Sequence, residues 1–249
     1  KIKTKNLSDT IKILKNSNNW EYNVGWIDSS AKDKNLGRSI VFRGNHLKNK
    51  KKEKLNFKDN YLFNIEKKFP SWFMNFLTIK ILNNFYYYLN YSRKSFVKLT
   101  EYFYQLDKIK NWNLIYGKKG FISYQLVIPE KNSFDAINHI LKILVKNKCY
   151  SFVSVIKLLG KNDGYNSFGL KGFTLVFDFP MYKNIYSTLK KINKVVIQFQ
   201  GRVYLCKDSI LDREEFKKMN TGFHSKEFIK IRRNKKKYFN SEQSERLKI

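Results

Sequence analysis

Between residues 121 and 206 the apolar positions switch between a period of two and a period near 3.6, and that switching predicts an ordered domain. Residues 121–128 read as a strand halted by Pro129, which has no amide proton to give to a ladder. Residues 133–146 read as a helix with Phe134, Ile137, Leu141 and Leu144 on one face. Residues 151–159 give the next strand, residues 160–169 a loop rich in Gly and Asn, and residues 172–179 a third strand closed by Pro180. A helix over 185–197 and a strand over 202–206 complete the order β-α-β-β-α-β. The fold class is therefore α+β: an antiparallel sheet with a ferredoxin-like core, two helices on one face and the other face left for a site or a partner domain. No internal repeat is visible beyond the two β-α-β halves.

The flanking patterns are looser. Asn6 or Ser8 caps a short helix with Leu7, Ile11 and Leu14 at helical spacing. Residues 22–28, which include Trp26, and 39–43 read as strands joined by a polar turn at Asp33, Lys34 and Asn35. Residues 46–58 carry Lys48, Lys50, Lys51, Lys52 and Lys54 without apolar period and read as an exposed loop. Residues 70–91 mix aromatic side chains with a helical pattern, and Lys80, Asn83 and Asn84 in the middle argue against a transmembrane span. The preferred reading is a pair of core-facing helical turns followed by an irregular aromatic segment. The alternative is an aromatic surface in peripheral contact with a membrane or a lipid-like substrate. Residues 92–106 read as more helix, and residues 107–120 as a Lys-rich mobile loop. Beyond Ser209, residues 212–219 and 226–237 read as short helices, with a basic cluster at Arg232, Arg233, Lys235, Lys236 and Lys237. This tail has too few apolar residues for a core of its own and needs something to pack on.

Charge changes the picture less than its size suggests. The 249 residues hold 50 Lys+Arg against 20 Asp+Glu, a formal net charge of +30 that points toward nucleic acid or a lipid surface. Lys, Asn, Ile, Phe and Tyr are abundant together, however, as AT-rich coding imposes, so the excess is discounted. At 42% hydrophobic and 16% aromatic the chain is globular rather than a disordered polycation, and long enough for one large or two modest domains. Cys149 and Cys206 allow one disulfide at most, and His46, His139 and His224 lack metal-ligand spacing, so no metal site is expected. Residues 1–20 are polar and helix-like, without the apolar run of a secretory signal. The expected location is the cytoplasm or the periphery of a membrane.

The candidate chemistry lies at residues 201–209. As a strand, this stretch places Val203, Leu205 and Lys207 on one side and Arg202, Tyr204 and Cys206 on the other. A lysine leaving a strand beside apolar neighbours, followed by Asp208 and Ser209, suits a cation aimed into a site; a solvated strand-end lysine is the ordinary alternative.

Several segments, in order, carry a resemblance. Gly25-Trp26-Ile27-Asp28, Leu36-Gly37-Arg38, Gly120-Phe121-Ile122-Ser123-Tyr124-Gln125, Tyr150-Ser151-Phe152 and Lys157-Leu158-Leu159-Gly160 come first. Gly172-Phe173 with Asp178-Phe179-Pro180, Gly201-Arg202-Val203-Tyr204, Lys207-Asp208-Ser209, Arg232-Arg233 and Glu245-Arg246-Leu247 follow. Together they resemble the decaprenylphosphoryl-ribose 2-oxidase-like FAD-linked oxidases, within the vanillyl-alcohol-oxidase-like flavoproteins. The resemblance implies a two-domain flavoenzyme with FAD as cofactor. Residues 1–200 would form the substrate-binding (cap) domain, and residues 201–249 would return to an FAD domain whose N-terminal part lies outside this sequence, where the C-terminal helices would pack. No glycine-rich phosphate loop is read here, so the chain alone is expected to bind FAD poorly or not at all.

By the same resemblance Lys207 is the catalytic residue, beside the isoalloxazine ring with Tyr204 and Cys206, where a fixed ammonium would stabilise the reduced flavin anion. Lys157, Gln125, Trp26 and Thr174 would meet the substrate. The family's mycobacterial members have Cys where Val176 stands, Asn where Thr174 stands and Gln where Ser123 stands. The implied reaction oxidises a secondary alcohol of a sugar, with the 2-hydroxyl of a polyprenyl-phosphate pentose as best fit. A reductase partner would complete an epimerisation serving a cell-wall sugar. An aldonolactone oxidase of the same superfamily is the near alternative; a basic nucleic-acid-binding protein, supported only by charge, is the distant one.

Overall fold

The computed structural model describes residues 1–47, 61–161, 168–219, 230–233 and 240–248. Its frame is a seven-stranded sheet made of β1 (Ile2–Thr4), β2 (Tyr22–Ile27), β3 (Ser39–Gly44), β6 (Phe121–Pro129), β7 (Val153–Leu159), β8 (Gly172–Pro180) and β9 (Arg202–Val203). The spatial order is β1-β3-β2-β7-β8-β6-β9, and every pairing in it is antiparallel. Two short strands, β4 (Phe63–Asn64) and β5 (Ile109–Lys110), pair in parallel apart from it. The chain is thus α+β with an antiparallel sheet, as its periodicities predict.

Alternation sorts each long strand into two rows. Ile122, Tyr124, Leu126 and Ile128 on β6, and Phe173, Leu175, Phe177 and Phe179 on β8, enter the main core. The helices α1 (Leu7–Lys15), α4 (Ser133–Asn147) and α5 (Ile185–Gln198) lie over that face. The side chain of Asn6 opens α1 by accepting the Asp9 amide at 2.9 Å, which leaves Leu7, Ile11 and Leu14 turned to the sheet. On α4 the fully buried Ile137, Ile140, Leu141 and Leu144 each contribute about 1.5–3 kcal/mol of transfer free energy. Phe134, expected on the same face, is 46% exposed, because the buried stripe turns through Ala136 and Ile140 instead.

Among the described residues, the helices on the other face lie toward one end. There α2 (Phe76–Leu89) and α3 (Leu99–Phe103) close a second cluster in which Trp26, Ile40, Phe42 and Tyr87 pack with Tyr86 and Tyr102. Residues 70–91 are therefore mainly one regular helix rather than two turns and an irregular aromatic segment, since Asn75 caps it by accepting the Leu77 and Thr78 amides at 2.8 and 3.1 Å. The side-chain amides of its two mid-helix asparagines have partners. Asn83 donates to the Asp28 carboxylate at 3.0 Å, and the Asn84 side-chain oxygen accepts from Arg38 at 2.7 Å. Arg38 itself holds Asp28 through Nε and Nη2 at 2.9 and 2.7 Å, a buried pair at the end of β2.

Four further expectations change. Residues 92–98 are irregular, and only Leu99–Phe103 is helical. Residues 107–120 are not a loose loop: a 3-10 helix at Trp112–Tyr116 buries Tyr116 against Met74, Ile79 and Tyr150. The last strand stops at Val203, and residues Leu205–Lys207 form a 3-10 turn. The tail packs here on the chain's own core, where α6 (Arg213–Met219) and α7 (Glu242–Leu247) bury Phe216, Met219 and Leu247. Of the helix expected over 226–237, residues 230–233 are described and helical, and the rest lies outside the described residues. So does most of the Lys-rich stretch 46–58 and the centre of the 160–169 loop.

Candidate functional site on the open sheet face

The uncovered part of the sheet is ruled into rows by its register. One row runs Trp26–Val155–Val176–Gln125, the next Lys157–Thr174–Val127–Arg202, and a third Val153–Asp178–Ser123. Trp26, Lys157, Thr174 and Gln125 therefore share one face, opposite the row that feeds the main core.

They differ in what is left for a ligand. Lys157 is exposed, and Gln125 is half-buried with its amide donating to Thr174 Oγ1 at 3.2 Å. Thr174 is buried and donates its own hydroxyl to the Leu126 carbonyl at 2.8 Å, so it holds Gln125 in place rather than presenting a donor of its own. Trp26 is buried beneath Tyr86, ring centroids 4.7 Å apart, and its indole donates to the Phe152 carbonyl at 2.9 Å. It forms the wall where the open face meets α2.

Lys207 lies at the edge of this face by a route the alternation did not predict. The Tyr204 amide still joins β6, donating to the Gln125 carbonyl at 2.8 Å, but the chain then curls and the Lys207 amide donates to the Tyr204 carbonyl at 2.9 Å. In a turn of this kind side chains no longer alternate, so Val203, Leu205 and Lys207 do not share a face as strand neighbours. Asp208 fixes the curl: one carboxylate oxygen accepts the amides of Ile210 and Leu211, both at 2.9 Å, and the other pairs with Arg246 of α7 at 3.0 Å. Gln243, also on α7, donates to the Leu205 carbonyl at 2.7 Å. Gly201 allows the approach, because a Cβ there would lie 2.5 Å from the Val127 carbonyl oxygen.

Two residues not singled out by sequence complete the cluster. Asp178 is buried on the open face, and its carboxylate accepts the Ser123 hydroxyl. Burial raises its pKa above the ordinary carboxylate range, opposed by the Ser123 hydrogen bond and by the charge of Lys207. Tyr116 closes this end, its hydroxyl 3.5 Å from the Asp178 carbonyl oxygen and its pKa pushed up by burial and then by Asp178. A charged residue at an outward position of the apolar run 172–180 was the signal that marked Asp178. At the far edge Tyr204 packs at a tilt against Phe168 with centroids 4.7 Å apart, and the exposed Cys206 thiol raises its phenol. Cys149, by contrast, is buried between Thr188 and Asn184 on the helix side. Among the described residues no group of His, Cys, Asp and Glu is arranged to hold a metal.

The face thus gathers an ammonium beside a buried carboxyl, a positioned amide, a second exposed ammonium and a phenol. Such a set can bind an anionic, hydroxyl-bearing ligand and steady negative charge that develops near Lys207. No protein-family model matches the chain. It is similar to decaprenylphosphoryl-beta-D-ribose oxidase of Mycolicibacterium smegmatis, 30% identical over 223 residues that make up 86% of this chain and 48% of the relative. The chain spans about half the length of that curated relative.

Proposed function

Because the chain is similar across most of its length to a decaprenylphosphoryl-ribose oxidase, we propose that it is the C-terminal part of an FAD-dependent oxidoreductase that oxidises a secondary alcohol of a sugar. The best substrate is the 2-hydroxyl of a polyprenyl-phosphate pentose. The observation that carries this is the register, which sets Lys157, Gln125, Thr174 and Trp26 on one open face with the Lys207 turn at its edge. The strand order β7-β8-β6-β9 with α4 and α5 on one side supports the ferredoxin-like reading of a cap domain.

The donor set fits the ring end of FAD. When bound, FAD supplies a two-electron acceptor for the hydride of a carbinol carbon. Lys207, Tyr204 and Cys206 would border the ring. Lys207 contributes a positive charge held in place by the Asp208–Arg246 clamp, in a site where that charge acts without costly reorganisation. Asp178 and Ser123 hold that end of the site through their hydrogen bond, with burial raising the Asp178 carboxyl against the opposing pull of that bond and of the Lys207 charge. Lys157 and Gln125 orient the sugar or its phosphate, and the Trp26–Tyr86 wall excludes water from one side.

The test is substrate-driven bleaching of the flavin in the full-length polypeptide under anaerobic conditions. A polyprenyl-phosphate pentose should bleach it faster than an aldonolactone does. Preference for the aldonolactone would move the assignment to the neighbouring oxidase class. Tight RNA binding that weakens steeply with salt, with no bleaching by either sugar, would replace the reading altogether.

A further inference from the structure

The helix α2 is apolar on both sides. Its inner face buries Ile79, Asn83 and Tyr87, yet Leu77, Ile81, Phe85, Tyr88 and Leu89 on the outer side are 55–68% exposed. The exposed apolar run continues beyond the helix through Tyr91, Phe96 and Val97. Single exposed apolar side chains are ordinary on a protein surface, but a continuous stripe along a whole helix marks a contact.

Charge says what kind. Residues 67–100 contain no Asp or Glu and six Lys or Arg: Lys67, Lys68, Lys80, Arg93, Lys94 and Lys98. Cations lie over the exposed rings: Lys148 Nζ is 5.1 Å from the Phe76 centroid, Lys3 Nζ 5.2 Å from Tyr88, and the Arg93 guanidinium 5.3 Å from Tyr91. Beside the helix a cavity of about 370 Å³ is lined by Lys32, Lys34 and Lys80, with Asn84, a single acid, Asp33, and Arg38, whose guanidinium is already held by Asp28. Lys80 and Asn84 belong to α2, so the basic cavity and the apolar stripe are one continuous surface.

We propose that this surface seats the protein on an anionic lipid bilayer, with α2 lying in the interface plane and the cavity taking lipid phosphate. Aliphatic Leu77, Ile81 and Leu89 suit acyl chains and offer nothing for a nucleobase to stack on. A second copy would bring two rims of the same sign together on chains that each carry +30. No helix among the described residues is long and apolar enough to cross a membrane, so the proposed contact has α2 lying in the interface plane rather than spanning the bilayer. The exposed stripe of Leu77, Ile81, Phe85, Tyr88 and Leu89 contains none of the residues assigned to the candidate site, so membrane seating and flavin reduction can fail separately.

The experiment is flotation of the full-length polypeptide with vesicles of phosphatidylcholine alone or of equal parts phosphatidylcholine and phosphatidylglycerol, at low and high salt. Binding is expected with the anionic vesicles, weakening with salt. Ile81→Ser combined with Phe85→Ser should weaken it by about tenfold or more. Lys80→Glu should weaken it by roughly fivefold or more. The substituted side chains of the double variant are solvent-exposed, and an unchanged thermal transition verifies its fold. Equal binding to both vesicle types, or unchanged binding by the double variant, overturns the proposal. So does the absence of vesicle binding together with protection of α2 amides from hydrogen exchange by the rest of the polypeptide. Self-association abolished by the double variant without any vesicle binding overturns it as well.

Discussion

At the scale of residues the candidate site turns on Asp178. Its folded-state pKa lies above that of the unfolded chain, so the native state holds the proton more tightly. The stability this contributes is complete below the unfolded value of about 3.9 and is lost as pH rises through the raised one. Asp178→Asn removes that loss. Its thermal midpoint relative to the parent protein should therefore rise as pH increases above about 4, followed by circular dichroism; a relative midpoint that falls as pH increases from there would refute the sign. The buried Asp28–Arg38 pair behaves differently. Asp28→Ala leaves the guanidinium without its partner and should cost about 3–5 kcal/mol in chemical denaturation. The sequence named Gln125, Lys157, Thr174 and Trp26 through a resemblance, and the register sets them on one sheet face. The sequence could not tell that Thr174 spends its hydroxyl on Leu126, or that Tyr86 covers Trp26, since both facts depend on distant parts of the chain.

At the scale of elements, local signals were read where they were strong and missed where a distant clamp decided. Strands β6, β7 and β8 and helices α4 and α5 were legible within two residues at each end, because their periods are long and their breakers plain. The Lys207 turn was not, because three residues of alternation after Val203 look like more strand. What curls the chain there is Asp208 bonding to Ile210, Leu211 and Arg246, the last contributed by α7. Arg246→Ala should loosen the turn, and the amides of Lys207 and Asp208 should exchange with solvent at least several-fold faster. Unchanged exchange would remove the clamp from the account. The aromatic content of residues 70–91 masks a regular helix, although Asn75 stands at its cap position in the sequence. Asn75→Ala should destabilise the protein by about 1 kcal/mol through the loss of that cap.

At the scale of the whole molecule, two layers explain the organisation. One sheet face is closed by α1, α4 and α5 and by the returning tail; on the other, among the described residues, the cover comes from α2, α3 and the Trp112–Tyr116 turn. The antiparallel split unit was legible; the joining of β2 to β7, which extends it to seven strands, was not, because pairing between segments so distant leaves no trace in either pattern. The site lies on the half-open face, with its cation held at the point where the sheet gives way to the tail. The most direct measurement is the rate of anaerobic flavin reduction by a polyprenyl-phosphate pentose in full-length protein carrying Lys207→Met, compared with the parent protein. With FAD retained and the thermal midpoint unchanged, the rate should fall by about a hundredfold or more. A rate equal to the parent's would show that the Lys207 charge does not bear on the reaction and would contradict the account.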